Sequence, residues 1–415
     1  MNTGTSLAAR STAARLLTAL VLAEIVSAVE STMIFGALRS LYRDLGDPVT
    51  VGWTVTAFLL VAAASAAIGS RLGDIYGRRR LLLIALAAAG VGSLISALSS
   101  GAGGIVAGRA IQGIAGAVLP LCCGLVRENL PESRVPFGIG VVSSAAIVAA
   151  GIAIFGGGLI VDHLHWRWIF HIGAATAVVA WIAVTFAVPR SPRATAAREP
   201  VDLLGAALLV PALAALLLVP SQAKVWGWMD ARTGALAAAG LLLLALWVRH
   251  ELRARAPLID VRLLGARQIG LANLGVLLLA LGPLQSGMVL SILLQQPGQT
   301  GVGLGLSATG AGLVLAPSLI LAVVVGPGCG MLAARHGARV PALMACAVIL
   351  AAWGGFVVAH AALPWVVAMA LLQGVGVAMA YAAAPMLIVE AAPAARTSEA
   401  AGVSSVVRHL FNAIG

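Results

Sequence analysis

Two carboxylic acids, Glu24 and Glu30, stand inside the first long apolar run of this chain. A carboxylate in mid-bilayer costs roughly 2.5–3.5 kcal/mol on insertion scales, so such groups face a partner or an aqueous cavity. At about 100° per helical residue, Glu24, Ser27, Glu30 and Ser31 fall within an arc of about 120° on an otherwise apolar helix. One polar stripe of this kind reads as cavity lining. Burial favours the neutral form of a carboxyl, so an acid there can take up and release a proton; the alternative is a structural hydrogen bond. A third buried charge, Arg109, opens the run "RAIQGIAGAVLP" (109–120), with Gln112, Gly113 and Gly116 on its face. Arginine does not shed its charge, so it needs an acid, backbone carbonyls or water, unless it snorkels to a helix end. The glycines beside it admit a second helix at close range.

The densest charge lies in "SRLGDIYGRRRLLL" (70–83), which holds one Asp and four Arg although only 10% of the chain is charged. It falls between two apolar runs and reads as a short loop. Asp74 can pair with an arginine there, and the Arg excess marks which side of a membrane the loop occupies. In the second half the polar groups Asn273, Gln285, Gln373 and Tyr381 are scattered through apolar runs. They are weaker candidates for a substrate cavity. We find no HExxH, phosphate loop, acidic metal cluster or Cys/His ligand spacing, and the four cysteines (122, 123, 329 and 346) read as small apolar packing residues. With no nucleotide or metal chemistry in view, any uphill transport would draw on an ion gradient and no cofactor.

The elements that must position these groups are membrane helices. The 415 residues are 60% hydrophobic with mean hydropathy +1.02, and many unbroken runs reach the ~20 residues needed to cross a bilayer. Barrel strands would alternate in shorter pieces. The fold class expected is an all-α polytopic membrane protein, with spans near 15–38, 50–69, 81–98, 104–126, 137–161, 168–188, 203–220, 233–248, 269–294, 304–327, 340–359 and 364–389. A further run starts near 401 and is cut at Gly415 in mid-pattern, so the C-terminal end is expected to be truncated. The first run carries two acids and reads as a span, not a cleavable signal. The net charge of +11 does not point to nucleic acid, because nearly all basic residues sit in short loops. With the N-terminus inside, 19 of the 26 Lys and Arg fall on the inner side and 5 on the outer, which sets the expected orientation.

One feature suggests internal duplication. "SRLGDIYGRRR" (70–80) echoes "GMLAARHGARV" (330–340) when aligned on Gly77 and Gly337, with Ala334 where Asp74 stands; weak similarity between halves is a transporter trait. The polar stretches 189–202 and 249–267 flank two spans that look inserted. The expected units are an N-terminal six-helix bundle (1–188), a linker with two extra helices (189–265) and an incomplete C-terminal bundle (266–415).

"RLGDIYGRRR" resembles the loop signature of the major facilitator superfamily, and "RAIQG" resembles its fourth-span signature. "VEST" (29–32), "WTVTAFLL" (53–60), "WRWIF" (166–170), "PLIDVRLL" (257–264) and "LSATGAGLVLAP" (306–317) are similar to the fourteen-span drug:proton antiporters of the EmrB/QacA type. The resemblance implies the major facilitator fold, two six-helix bundles plus two linker helices, working by alternating access. It places proton coupling on Glu30 and Arg109, to which the polar stripe of the first span adds Glu24, and a conformational latch on Asp74, Gly77 and Arg78. It assigns the fourth-span signature to Arg109, Gln112 and Gly113, and the end of the fifth-span antiporter signature to Gly157 and Gly158. The chain departs from the family pattern in four places: Glu30 for the commoner Asp, Ile75 for Arg, Ala153 and Ile154 for Gly-Pro, and Gly173 and Ala175 for Asn and Pro.

The expected function is therefore proton-coupled efflux of small hydrophobic or cationic molecules, a multidrug resistance antiporter and not an enzyme. Its expected setting is the bacterial plasma membrane, as a multi-pass monomer with a cytoplasmic N-terminus and no nucleic-acid partner. A dedicated exporter of one metabolite or antibiotic, or a degenerate carrier that no longer transports, is the alternative.

Overall fold

The computed structural model describes residues 3–45, 48–190, 202–255, 257–262, 266–296, 304–306, 308–359 and 362–414. Among them there is no strand, and twelve helices are long and apolar enough to cross a membrane. Without water in the bilayer core, each segment must satisfy its own backbone, which a helix does and an open strand cannot.

The first seven elements are α1 (Thr3–Leu45), α2 (Pro48–Tyr76), α3 (Arg78–Leu98), α4 (Ala102–Gln112), α5 (Val118–Asn129), α6 (Val135–His163) and α7 (Trp168–Ala187). Helices α4 and α5 form one span joined by a tighter 3₁₀ turn, Gly113–Ala117. Next come α8 (Leu203–Trp226) and α9 (Ala231–Glu251), whose first turns are capped by the carboxylates of Asp202 and Asp230. The remainder is α10 (Arg267–Leu281), α11 (Ser286–Gln295), α12 (Ala308–His336), α13 (Arg339–Val358), α14 (Leu363–Ala391) and α15 (Thr397–Ile414).

Three expectations change. The stretch 70–80 is not a loop: α2 runs to Tyr76 and α3 begins at Arg78, so the whole reversal rests on Gly77 at φ 100°. That backbone region suits glycine and strains residues with a Cβ. The echo at Gly337 has the same form, φ 81° between α12 and α13. The span expected at 269–294 is broken, because Gly282 leaves helical geometry and Pro283 has no N–H to continue the ladder. The span expected at 304–327 instead runs through Pro317 and Pro327 to His336. Membrane helices tolerate proline and glycine when neighbours satisfy the freed groups.

Helix α1 packs on α6 and α7, α3 on α7, and α2 on α4 and the 3₁₀ turn. The main core gathers Leu20, Leu82, Leu86, Leu121, Leu125 and Val142 from four of these helices. Two seams join this N-terminal set to the C-terminal helices, α6 against α12 and α2 against α15. Helices α8 and α9 pack on each other, and α8 leans on α2 and α15, burying Leu209 and Leu213 beside Ala63 and Ala67.

Small residues set the closest approaches, as lipid-embedded helices require. A Cβ on Gly116 would collide with the Ala62 carbonyl oxygen and stand 2.6 Å from its Cα. At the α6–α12 seam, a Cβ on Gly326 would meet the Gly140 carbonyl at 2.5 Å. Of the run 156–158, only Gly157 lies with its Cα toward α1, 2.5 Å from the Met33 carbonyl on the same measure, and α6 continues unbroken through Ala153 and Ile154. Backbone cannot yield at these distances as a flexible side chain could. Gly116→Ala is therefore expected to cost about 1–3 kcal/mol by overpacking. Gly103→Ala, where nothing lies within 4 Å, is expected to stay within about 0.5 kcal/mol of the parent. Thermal unfolding of the detergent-solubilised variants checks this, and equal midpoints would refute it.

Candidate functional site

Arg109 is 1% exposed and sits where α1, α2 and α4 meet. Its guanidinium donates from Nε to the Thr54 carbonyl (2.9 Å), and from Nη1 to the Glu30 carbonyl (2.6 Å) and Gln112 Oε1 (2.9 Å). The Phe58 ring lies 4.4 Å beneath it. The charge is thus held by carbonyl dipoles and a π-face, not by direct pairing with a carboxylate. It binds the backbone of Glu30, not the side chain.

The Glu30 carboxylate, on a residue 4% exposed, turns the other way. Its Oε1 accepts from Ser93 Oγ at 2.5 Å, and Ser93 Oγ accepts from Gln112 Nε2 at 2.6 Å. Glu30, Ser93, Gln112 and Arg109 so form one hydrogen-bonded chain across α1, α3 and α4. Gly173 of α7 completes the chamber: a Cβ there would lie 2.7 Å from Glu30 Oε1 and 3.0 Å from Ser93 Oγ. Sequence reasoning found Glu30, Arg109 and Gln112 but missed Ser93, one serine among several in an apolar run.

Glu24 does not join this chain. It is 3% exposed, its Oε2 has no hydrogen-bond partner, and it lies within electrostatic reach of Cys123, Tyr381 and Arg408. The other second-half candidates divide. Tyr381 lines a small cavity shared with Cys123 and Arg408. Asn273 donates to the Ile269 carbonyl of its own helix, and Gln373 donates to Ser286 Oγ beside the break in α10–α11. Gln285 lies within that break. Neither Asn273, Gln285 nor Gln373 lines the cavity with Tyr381.

At the Gly77 end the two helix sets are clamped. Asp74 Oδ1 pairs with Arg78 Nε at 2.7 Å, while its Oδ2 accepts the backbone N–H of Glu399 at 2.9 Å. That N–H belongs to the first turn of α15, where a helix presents unpaired donors and partial positive charge. Arg78 also donates to the carbonyls of Gly124 and Ala394, both at 3.1 Å. Arg127 supplies the complementary contact, donating to the carbonyls of Val389 and Ala392 at the C-terminal end of α14, both at 2.7 Å. Gly77 contributes the reversal that puts Asp74 and Arg78 side by side.

The clamp is larger than the motif that announces it. Glu399 Oε2 pairs with Arg71 at 3.2 Å, its Oε1 accepts the Asp260 N–H at 2.7 Å, and Asp260 Oδ2 pairs with Arg396 at 2.7 Å. Burial pushes the Glu399 carboxyl up from its ordinary value against the pull of the Asp260 N–H and Arg71. Glu399, Arg396 and Arg127 were missed; the available signal was lone charge at the ends of apolar runs. In the second half, where Ala334 replaces the acid, Glu390 Oε2 accepts the Ala338 N–H after the Gly337 reversal.

Helices with buried charge, tied across a seam by helix-end contacts, make a multi-pass membrane carrier. Residues 20–415 match the Major Facilitator Superfamily, and the chain belongs to that family of transporters. It is 28% identical over 94% of its length to the tetracenomycin C resistance and export protein of Streptomyces glaucescens, spanning 72% of that protein. It is 30% identical over 81% of its length to a multidrug resistance protein B homolog of Mycobacterium tuberculosis, spanning 62% of that relative. The fold matches that of the proton:xylose symporter XylE with a TM-score of 0.71, covering 97% of this chain and 87% of that one at 16% identity.

A charge-assisted hydrogen bond contributes about 1.5–3 kcal/mol, so loss of Asp74 should move the clamp measurably toward its open form. In a background with Cys122, Cys329 and Cys346 replaced by serine, Asp74→Ala is expected to raise maleimide labelling of the buried Cys123 on the order of ten-fold. An unchanged labelling rate would show that these contacts do not hold the sets together.

Proposed function

We propose that this transporter is a proton-driven exporter of hydrophobic small molecules, of the fourteen-span drug:proton antiporter type, working by alternating access between its two helix sets. The observation that carries the proposal is the Glu30–Ser93–Gln112–Arg109 chain. Ser93 has one hydroxyl proton, and Gln112 already donates to its oxygen. Donating that proton to Glu30 suits the ionised carboxylate, which can only accept; a protonated Glu30 gains a donor of its own and becomes a weaker, uncharged acceptor for Ser93. Protonation thus loosens the first link of a chain that ends on Arg109, whose bonds hold α1 and α2. That gives a proton on Glu30 a physical route to helix position. The proton gradient is the energy source, and no cofactor is required.

In this reading the Asp74–Arg78–Glu399 clamp closes the cytoplasmic side when the carrier faces outward, in a bacterial plasma membrane with the N-terminus inside. The units that move are the bundles 1–188 and 266–415, with 189–265 as linker. A dedicated exporter of one metabolite is the second reading, favoured by the similarity to an export protein for a single antibiotic. A substrate panel separates the two.

Glu30→Gln keeps the size and polarity of the side chain but removes its titration. In cells lacking their own pumps, efflux of a fluorescent hydrophobic dye is expected to be protonophore-sensitive with the parent chain and lost with Glu30→Gln at equal membrane expression. Undiminished gradient-driven efflux by the variant would overturn the assignment of Glu30.

A further inference from the structure

Arg408 of α15 lies at the seam between the helix sets, yet among the described residues its guanidinium has no hydrogen bond and no ion pair. Its contact is the ring of Tyr381, 4.9 Å away. Every other arginine at the seam (Arg71, Arg78, Arg127) is committed to a carboxylate or to carbonyls. Arg408 keeps its charge wherever it sits, and its planar fork of N–H donors matches a carboxylate bidentately. A cation left so open beside an apolar seam is costly unless something completes it.

Its surroundings specify what that is. The cavity around Arg408 has walls from both sets, with Leu119, Val276, Leu279 and Pro385 as the apolar part. Ser404, one helical turn before Arg408, adds a hydroxyl. Glu24 stands near enough to interact electrostatically but makes no ion pair with Arg408, and its Oε2 is buried without a partner. Arg408 thus lines this small space as an uncommitted cation, with the unpaired acid of Glu24 nearby but outside the lining. At about 20 Å³ the cavity now admits no more than a water; a drug-sized ligand needs about 300–1,000 Å³. Alternating access, as proposed above, would enlarge this space as the seams part.

We infer that Arg408 is the substrate-recognition residue of the central cavity, and that it selects amphiphiles carrying a carboxylate or similar anion on an apolar ring system. The anion bridges to the Arg408 fork, and the ring lies against Tyr381 and the apolar wall. This rests on the export reading for its biological meaning and departs from the lipophilic cations expected from the sequence. Arg408 repels a cation unless an ionised Glu24 outweighs it, whereas an anion meets a donor array already in place.

The test uses three probes with one ring: 2-naphthoate, 2-naphthamide and 2-naphthylmethylammonium. Binding to the purified full chain in phosphatidylcholine nanodiscs is read by scintillation proximity, and transport by efflux from cells with and without a protonophore. We expect naphthoate to bind at least ten-fold more tightly than the other two. Arg408→Gln should bring the three within about two-fold (RT ln 2 being a few tenths of a kcal/mol), and Arg408→Lys should restore part of the preference. Monodispersity and thermal midpoint identify any variant that fails to fold, and the order of the three probes on the parent chain decides independently of the variants. Equal or tighter binding of the ammonium probe by the parent, or an anion preference that survives Arg408→Gln, overturns the inference. Protonophore-sensitive efflux without an anion preference would defeat this inference and leave the export reading standing. An Arg408-dependent anion preference without gradient-driven efflux would do the reverse.

Discussion

Everything in the N-terminal set is arranged around the fact that Arg109 cannot lose its charge. A guanidinium buried among apolar helices must find acceptors, and the acceptors it finds are carbonyls of α1 and α2 and an amide on its own helix. To reach two neighbouring backbones from one side chain, those helices must come close. The glycines of the same span allow this: Gly113 and Gly116 put α2 against the 3₁₀ turn with no side chain between. The arginine and the glycines are therefore one device. The charge fixes where the helices must be, and the missing side chains let them be there.

The clamp at the other end of the molecule uses different physics for a different task. A buried ion pair is weak evidence of stability, since desolvation offsets much of the attraction. The clamp avoids part of that cost by aiming charges at helix ends, Asp74 at the start of α15 and Arg127 at the end of α14. Those backbone groups are unpaired within their helices, so their desolvation does not have to be overcome separately. When the sets part, water can take the same positions. Contacts of this kind make a joint that is well defined when closed and inexpensive to open, in contrast to the apolar cores on either side. Asp260 extends the joint to the segment after α9, so the helix pair α8–α9 is tied to the same event.

The helices were legible because their signal is the sum of twenty apolar residues, and each of the twelve expected spans overlaps one of the twelve long apolar helices. Expectation failed at boundaries: the eleven residues 70–80 read as a loop although Gly77 alone makes the turn, and α12 runs to His336, past the expected end at 327. The acids and arginines were legible as anomalies of composition, since each buried charge needs a reason. Their partners were not. Ser93, Glu399 and Asp260 are ordinary residues whose roles come from tertiary neighbours 63, 325 and 139 positions away. Asn273 and Gln373 show the converse: unusual in their runs, yet occupied with local hydrogen bonds.

Two of the departures from the family pattern fit each other. Glutamate at position 30 is one methylene longer than the commoner aspartate, and its carboxylate therefore reaches across to Ser93 on α3 and the wall of α7. The residue on that wall is Gly173, where the family commonly has asparagine, and even a methyl group there would stand 2.7 Å from Glu30 Oε1. The longer acid and the emptied wall fit each other by volume. The Ala153–Ile154 replacement has no such partner: α6 passes through it as helix, and Ile154 projects outward, 47% exposed. Close packing of α6 on α1 is kept by Gly157, four residues after Ala153 and one turn further along the same face. Of the two functions a Gly-Pro pair can serve, close approach and bending, this chain retains the first at Gly157.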